Sequence, residues 1–168
     1  GYYQVHLAGS GDKGWIYKSY VRRHPGQHPK YIAYKRTFYR HWIDEDGDCQ
    51  DTRQEVLIRD ADAKVAYQDP DRCKVKSSKW NDPYTGKTFT NPKDLDVDHV
   101  VPLKNAHESG AWTWSTERKK QYANYLTHEK HLLAVSASEN RKKGDKGPDR
   151  YMPPNTAYHC EYVQVWTQ

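Results

Sequence analysis

An α+β fold is predicted for this chain, and three segments predict it. Leu95 to Val101 reads as a strand that stops at Pro102, whose missing N–H ends a strand ladder. His131 to Val135 is a second short strand. Ser136-x-x-Glu139, followed by Asn140, Arg141, Lys142, Lys143 and Gly144, then reads as a basic helix opened by a capping box and closed by glycine. Strand, strand and helix in that order make a small core, with additional strands and helices around it.

The remaining elements follow in chain order. Residues 2–22 alternate as two strands around Gly9-Ser10-Gly11-Asp12, giving an N-terminal hairpin unit over 1–23, and residues 24–30 read as a Pro- and Gly-containing linker. Residues 31–168 form one domain. It opens on a strand or strand pair, Tyr31 to Trp42, with alternating aromatics. Asp44, Asp46 and Asp48 precede Cys49, and Glu55 stands twelfth from Asp44. That spacing imitates a calcium loop, but its sixth position, which needs glycine, is Cys49, so an acidic turn is the competing reading. Gln54 to Arg59 is apolar-periodic, and short strands follow at Cys73–Lys76 and Gly86–Phe89. A helix over Ser115–Leu126 is capped by Ser115 or Thr116 and buries a stripe of Tyr122, Tyr125 and Leu126.

Composition narrows the function classes. The 168 residues carry a net charge of +5, with 14 Tyr and 6 Trp against a hydrophobic fraction of 35%. The core is therefore small and aromatic, with hydroxyl and indole groups that need partners. No run of eighteen apolar residues exists, so no membrane span is expected, and no signal peptide is present; an exported protein would have lost its leader. Three cysteines, Cys49, Cys73 and Cys160, fit one disulfide plus one free thiol in an exported protein, with the pairing open. Basic clusters at 118–120 and 141–146 suit a polyanion.

Chemistry concentrates in the segment Asp96-Val97-Asp98-His99 and the helix with Asn140. A histidine with an ordinary pKa near ~6.5 can take a proton from water at neutral pH, and a carboxylate with an amide oxygen can hold one hard divalent cation. On a strand, Asp98 and His99 point to opposite faces, so both reach one site only where the strand ends or bulges.

These segments resemble the HNH, or ββα-metal (His-Me finger), nuclease motif. Asp-x-Asp-His-Val-Val-Pro and Asn-Arg-x-Lys-Gly-Asp resemble the HNH domain of CRISPR effector enzymes. The stretch from Trp80 to Tyr162 is similar to the secreted, non-specific HNH endonucleases of bacteria and fungi. It shares Asp-His-Val-Val-Pro-Leu-x-x-Ala from Asp98, Ser-Gly-Ala-x-x-Trp from Ser109, Leu-Leu-Ala-Val-Ser-Ala-Ser-x-Asn-Arg-x-Lys-Gly-Asp from Leu132, and Pro-Pro-Asn from Pro153. The first twenty or so residues resemble the closing strands of a bacterial Src-homology-3-type barrel.

The resemblance implies an HNH nuclease domain over 31–168 that cleaves DNA, and RNA as an open alternative, to 5′-phosphate and 3′-hydroxyl ends. His99 is then the general base, and Asp98 and Asn140 hold one Mg²⁺ or Mn²⁺. The middle position of the motif departs from the pattern. Counting back from Asn140 lands on His131, while Asn124 in Tyr-Ala-Asn-Tyr resembles an element of the secreted enzymes. Either orients the His99 loop, and His131 as a third ligand would leave Zn²⁺ open. Arg141, Lys142 and Lys143 are the expected phosphate contacts, with Arg118 and Arg53 as further candidates. The resemblance also implies a secreted or periplasmic bacterial monomer, with an immunity or inhibitor protein left open. A non-catalytic nucleic-acid-binding or cell-surface module is the competing class, disfavoured by the intact Asp-His pair and Asn140.

Overall fold

The computed structural model of the chain describes residues 2–6, 13–17, 30–128 and 130–167. Strand β1 (Tyr2–His6) pairs antiparallel with β2 (Lys13–Tyr17), as the alternation predicts. The turn between them and residues 18–29, which hold most of the expected linker, lie outside the described residues.

The strand or strand pair expected over 31–42 does not form. That segment makes one 3₁₀ turn, Arg36–Phe38, and joins no sheet. Its aromatics serve a core instead: Tyr31, Tyr34, Phe38 and Tyr39 surround the buried ring of His107. His107 Nε2 lies 2.7 Å from the Ile32 carbonyl, and Nδ1 lies 3.1 Å from the Tyr39 hydroxyl. A carbonyl only accepts, so Nε2 carries the hydrogen and Nδ1 receives the Tyr39 hydroxyl's. Alternation there reports ring packing and not a ladder.

Helix α1 (Thr52–Arg59) starts where the Asp51 side chain accepts from the Gln54 N–H, a side-chain N-cap. Two small antiparallel ribbons follow, β3 (Ala66–Tyr67) with β4 (Val75–Ser77) and β5 (Trp80–Asn81) with β6 (Thr88–Phe89). The central hairpin pairs β7 (Leu95–His99) with β8 (Leu132–Ser136), in unbroken antiparallel register from Leu95↔Ser136 to His99↔Leu132. Between its strands lie α2 (Leu103–Glu108) and α3 (Thr116–Ala123). Helix α4 (Ala137–Lys143) follows β8 directly, and α5 (His159–Thr167) ends the chain.

A two-stranded hairpin is marginal by itself, so its burial has to come from what covers it. Leu95, Val97, Leu132 and Ala134 pack with Val56, Leu57, Val75 and Trp80, whose indole N–H donates to the Leu57 carbonyl at 2.8 Å. Val100 and Val135 pack instead with Tyr84, Tyr158 and Tyr162. With side chains alternating across the pleat, both faces of the hairpin are covered.

Three local expectations change. Helix α3 ends at Ala123 and buries Lys119 and Ala123, while Tyr125 is 45% exposed. Lys119 is drawn inward because its ammonium donates to the Trp112 and Trp114 carbonyls at 3.2 and 2.8 Å. The capping box at α4 is absent: the Ser136 hydroxyl pairs with that of Ser138, and Glu139 turns to Lys142 and Tyr151. Gly144, at φ +56°, ends α4 as expected.

Cys49 and Cys73 form a disulfide, and Cys160 is free and exposed. The aspartates of the acidic turn accept from backbone N–H groups within it: Asp44 from Gly47 and Cys49, and Asp48 from Gln50. Among the described residues, no helix is long and apolar enough to cross a membrane.

The disulfide closes a loop of 24 residues in sequence separation. Reducing it should lower the unfolding free energy by about 2–4 kcal/mol, because the reduced unfolded chain regains the entropy of the open loop. Urea denaturation of a Cys160→Ser variant with and without reductant measures this; coincident curves would refute it.

Candidate active site

The end of β7 positions the site. The pleat sends Asp98 and His99 to opposite faces, and His99 is the last residue of the strand, so both come to line one cleft together with Asn140. The strand-end condition noted in the sequence is met without a bulge in this pairing.

His99 is buried between two rings. Trp42 stacks on it at 5.6 Å and 26°, and His131 meets it edge-on at 6.0 Å. Its Nε2 lies 2.9 Å from the carbonyl of Ala123, the last residue of α3. Helix ends leave carbonyls unpaired, and this one can only accept. Nε2 therefore carries the hydrogen, and Nδ1 keeps its lone pair. His131 repeats the device one residue earlier, its Nε2 lying 2.8 Å from the Tyr122 carbonyl. Burial lowers the His99 pKa to about 3, with further lowering from His131, Arg36 and His41 set against the Ala123 bond. Burial likewise lowers that of His131. Both imidazoles are neutral at physiological pH.

Trp42 holds its place at a cost. Its φ of +56° is in the left-handed region, a genuine outlier for a bulky side chain and worth roughly 1–3 kcal/mol. The surrounding contacts offset it: the ring packs on the apolar cluster of Val56, Leu95 and Leu132 as well as on His99.

Asp98 accepts from the Tyr84 hydroxyl at 2.6 Å and from the Lys143 ammonium at 2.9 Å, one bond to each carboxylate oxygen. Lys143 also donates to the His99 carbonyl at 3.0 Å and is wholly buried. Burial pushes the Asp98 carboxyl upward, while Lys143 and the Tyr84 hydroxyl pull it back. Asn140 donates its amide N–H to Asp96 at 3.2 Å, which leaves Oδ1 without a partner among the described residues. Arg141 also reaches Asp96, at 3.7 Å. Each Asp98 oxygen retains a lone pair. One carboxylate and one amide oxygen on the same cleft fit a hard cation that keeps several waters. Both histidines give Nε2–H to backbone carbonyls and keep the Nδ1 lone pair.

The other residues singled out from sequence lie as follows. Asn124 is fully engaged: it accepts from the Ile43 N–H and the Thr52 hydroxyl and donates to the Arg40 and Lys120 carbonyls. It thus clamps the end of α3, next to the carbonyl that His99 uses. Arg53 braces the start of β7 by donating to the carbonyls of Pro92 and Leu95 at 3.1 and 3.2 Å. Arg118 lies over the Trp114 ring at 4.5 Å. Arg141 and Lys142 are exposed, Lys142 paired with Glu139 at 2.5 Å. Lys143 differs most from the expected phosphate contact, because its ammonium is enclosed by Asp98 and the His99 carbonyl. The spacing held the signal: Asn140 and Lys143 stand three apart on α4 and share a face, so a cleft-facing Asn140 turns Lys143 inward too. Tyr84, Arg36 and Trp42 carried no comparable signal, since each comes from a segment distant in sequence: Tyr84 to Asp98, Trp42 to the His99 ring and Arg36 to the cleft wall.

Lys143→Met should cost about 3–5 kcal/mol of stability, since it strands a buried carboxylate without its cation. Urea denaturation checks this, and a loss below 1 kcal/mol would contradict it. A second outcome concerns acid. Unfolded His99 titrates near ~6.5 while the folded residue holds out to about 3, so between those values only the unfolded state binds the proton. Stability is full above pH ~6.5 and falls as pH drops towards 3, by up to about 1.4 kcal/mol per pH unit from this residue. In His99→Gln the fall should be shallower; parallel profiles would exclude the assignment.

Residues 51–168 match the family model described as "GmrSD restriction endonucleases, C-terminal domain". An "Uncharacterized secreted protein" of Arthroderma benhamiae is 41% identical over 134 residues, which cover 80% of this chain. The match spans 63% of that relative's own length. No solved structure matches the chain. With the matched span taking in β7, β8 and α4 whole, the chain belongs to the family of GmrSD restriction endonuclease C-terminal domains.

Proposed function

We propose that the chain is a metal-dependent, largely sequence-non-specific endonuclease with an HNH-type ββα-metal core, hydrolysing the phosphodiester bonds of DNA, and of RNA as a second substrate, to 5′-phosphate and 3′-hydroxyl ends. Membership of a nuclease family supports the reaction class. The observation that carries the mechanism is the bond from His99 Nε2–H to the Ala123 carbonyl at 2.9 Å. It commits the imidazole to the tautomer whose Nδ1 can accept a proton from water, and helix α3 fixes the ring's direction. Burial keeps that nitrogen unprotonated between turnovers. A phosphate anion entering the cleft then opposes the depressed pKa, because negative charge beside an imidazole favours its protonated form.

Asp98 and Asn140 would hold one divalent cation, Mg²⁺ or Mn²⁺, which when bound neutralises phosphate charge and stabilises the departing 3′ oxygen. Lys143 and Tyr84 hold the Asp98 carboxylate in place. Arg141 and Lys142, exposed on the same short helix, would meet flanking phosphates without reading bases. No helix-turn-helix or zinc-finger pattern is present in the sequence, which supports action on any sequence. The Cys49–Cys73 disulfide and the relative described as secreted support an exported protein.

Incubating the protein with supercoiled plasmid and Mg²⁺ should give nicked, linear and then fragmented DNA, and EDTA should stop it. His99→Gln should lower the rate by about 10²–10⁴-fold while the near-ultraviolet circular dichroism stays that of the parent. A folded variant that cleaves at the parent rate would remove His99 from the chemistry. Cleavage that persists in EDTA would remove the metal.

A further inference from the structure

Part of the cleft wall is built by Tyr34 and Arg36, from the irregular segment ahead of α1 and outside the 51–168 span that matches the family. Arg36 is exposed, and its guanidinium is held by an imidazole and a phenol and not by a carboxylate. One nitrogen, Nη2, lies 3.3 Å from His41 Nε2, and the Tyr34 side chain bonds it as well. His41 Nδ1 lies 2.9 Å from the Tyr39 carbonyl. That carbonyl only accepts, so the ring hydrogen is on Nδ1 and the Nε2 lone pair receives the guanidinium N–H. Arg36 is thereby aimed without being neutralised.

The other cationic side chains of this region are already used. Lys104, also on the cleft wall, is paired with Asp145 at 2.5 Å. Lys143 is spent on Asp98. Arg36 makes no ion pair with a carboxylate among the described residues. A planar, unpaired and pre-oriented guanidinium facing a base and a carboxylate–amide pair suits one ligand chemistry, the non-bridging oxygens of a phosphate diester.

We propose that Arg36 is a substrate-binding residue that grips a backbone phosphate in the cleft beside His99, supplied by a segment the family match does not cover. The proposal rests on the reading of this cleft as a phosphodiester-hydrolysing site. It predicts a contribution to binding that is independent of base sequence, since no base edge is read by a phosphate contact.

The test compares the parent with Arg36→Gln, which keeps a polar side chain of similar reach without the charge, and Arg36→Lys, which keeps the charge without the fork. Affinity for a short labelled duplex is followed by fluorescence anisotropy in EDTA across a salt series, and kcat and KM are measured with Mg²⁺. Arg36→Gln should bind about tenfold more weakly, with a log–log salt slope less negative by about 0.9, the value of one phosphate contact. Its KM should rise by a similar factor with kcat near the parent's, and its thermal midpoint should not move, because Arg36 is exposed. Arg36→Lys should keep the parent slope with intermediate affinity. Parent-like affinity and slope in Arg36→Gln, or a fall in kcat at unchanged KM, would overturn the assignment. A parent protein that neither binds nor cleaves the duplex would overturn the nuclease reading itself, a result distinct from failure at Arg36 alone.

Discussion

The ion pair between Lys143 and Asp98 is the constraint on which the arrangement around the cleft depends. Both side chains are buried, so neither charge is affordable without the other, and their geometry has to satisfy both. The Tyr84 hydroxyl takes the second carboxylate oxygen, and the His99 carbonyl takes another ammonium hydrogen. These bonds tie α4 to the last two residues of β7. Asn140, one turn earlier on α4, is therefore held over the same strand, where it meets Asp96. A helix of seven residues has little intrinsic stability, and this cross-link, more than propensity, keeps it in register.

The opposite side of the hairpin is organised by the end of α3. Its carbonyls at Tyr122 and Ala123 have no partners within the helix, and two imidazole N–H groups fill them. The exchange settles two things at once. The helix end is satisfied, and both histidines are fixed in one tautomer. Asn124 reinforces it from outside by bonding the 40–43 segment, the Lys120 carbonyl and Thr52. The same segment carries Trp42, whose strained backbone is tolerated where its ring closes over His99. Strain of this kind concentrates where a side chain has to be aimed, and here it is aimed at the imidazole.

Charge is distributed with equal economy. Lys119 and Lys143 are drawn inside to satisfy backbone carbonyls and Asp98, and Lys104 is matched to Asp145. Arg53 supports two carbonyls at the base of β7. Pairing and burial take several of the 27 Lys and Arg out of reach of a polyanion, so those on the surface, such as Arg36 and Arg141, carry more of any such interaction.

The sequence by itself determined the central unit. Strands over Leu95–Val101 and His131–Val135 and a basic helix ending at Gly144 were legible as local patterns, and the structure sets the bounds at Leu95–His99, Leu132–Ser136 and Ala137–Lys143. The meeting of Asp98, His99 and Asn140 on one cleft was legible through the resemblance to the HNH motif, and strand pairing with direct continuation into α4 brings it about. The aromatic alternation of 31–42 misled, because a ring cluster around His107 and a strand write the same two-residue rhythm. Which cysteines pair, which lysine of the basic run turns inward and which carbonyl orients His99 were decided only by tertiary structure. Each of these joins residues far apart in the chain, and the choice among chemically similar partners follows from burial and distance, neither of which a local pattern encodes.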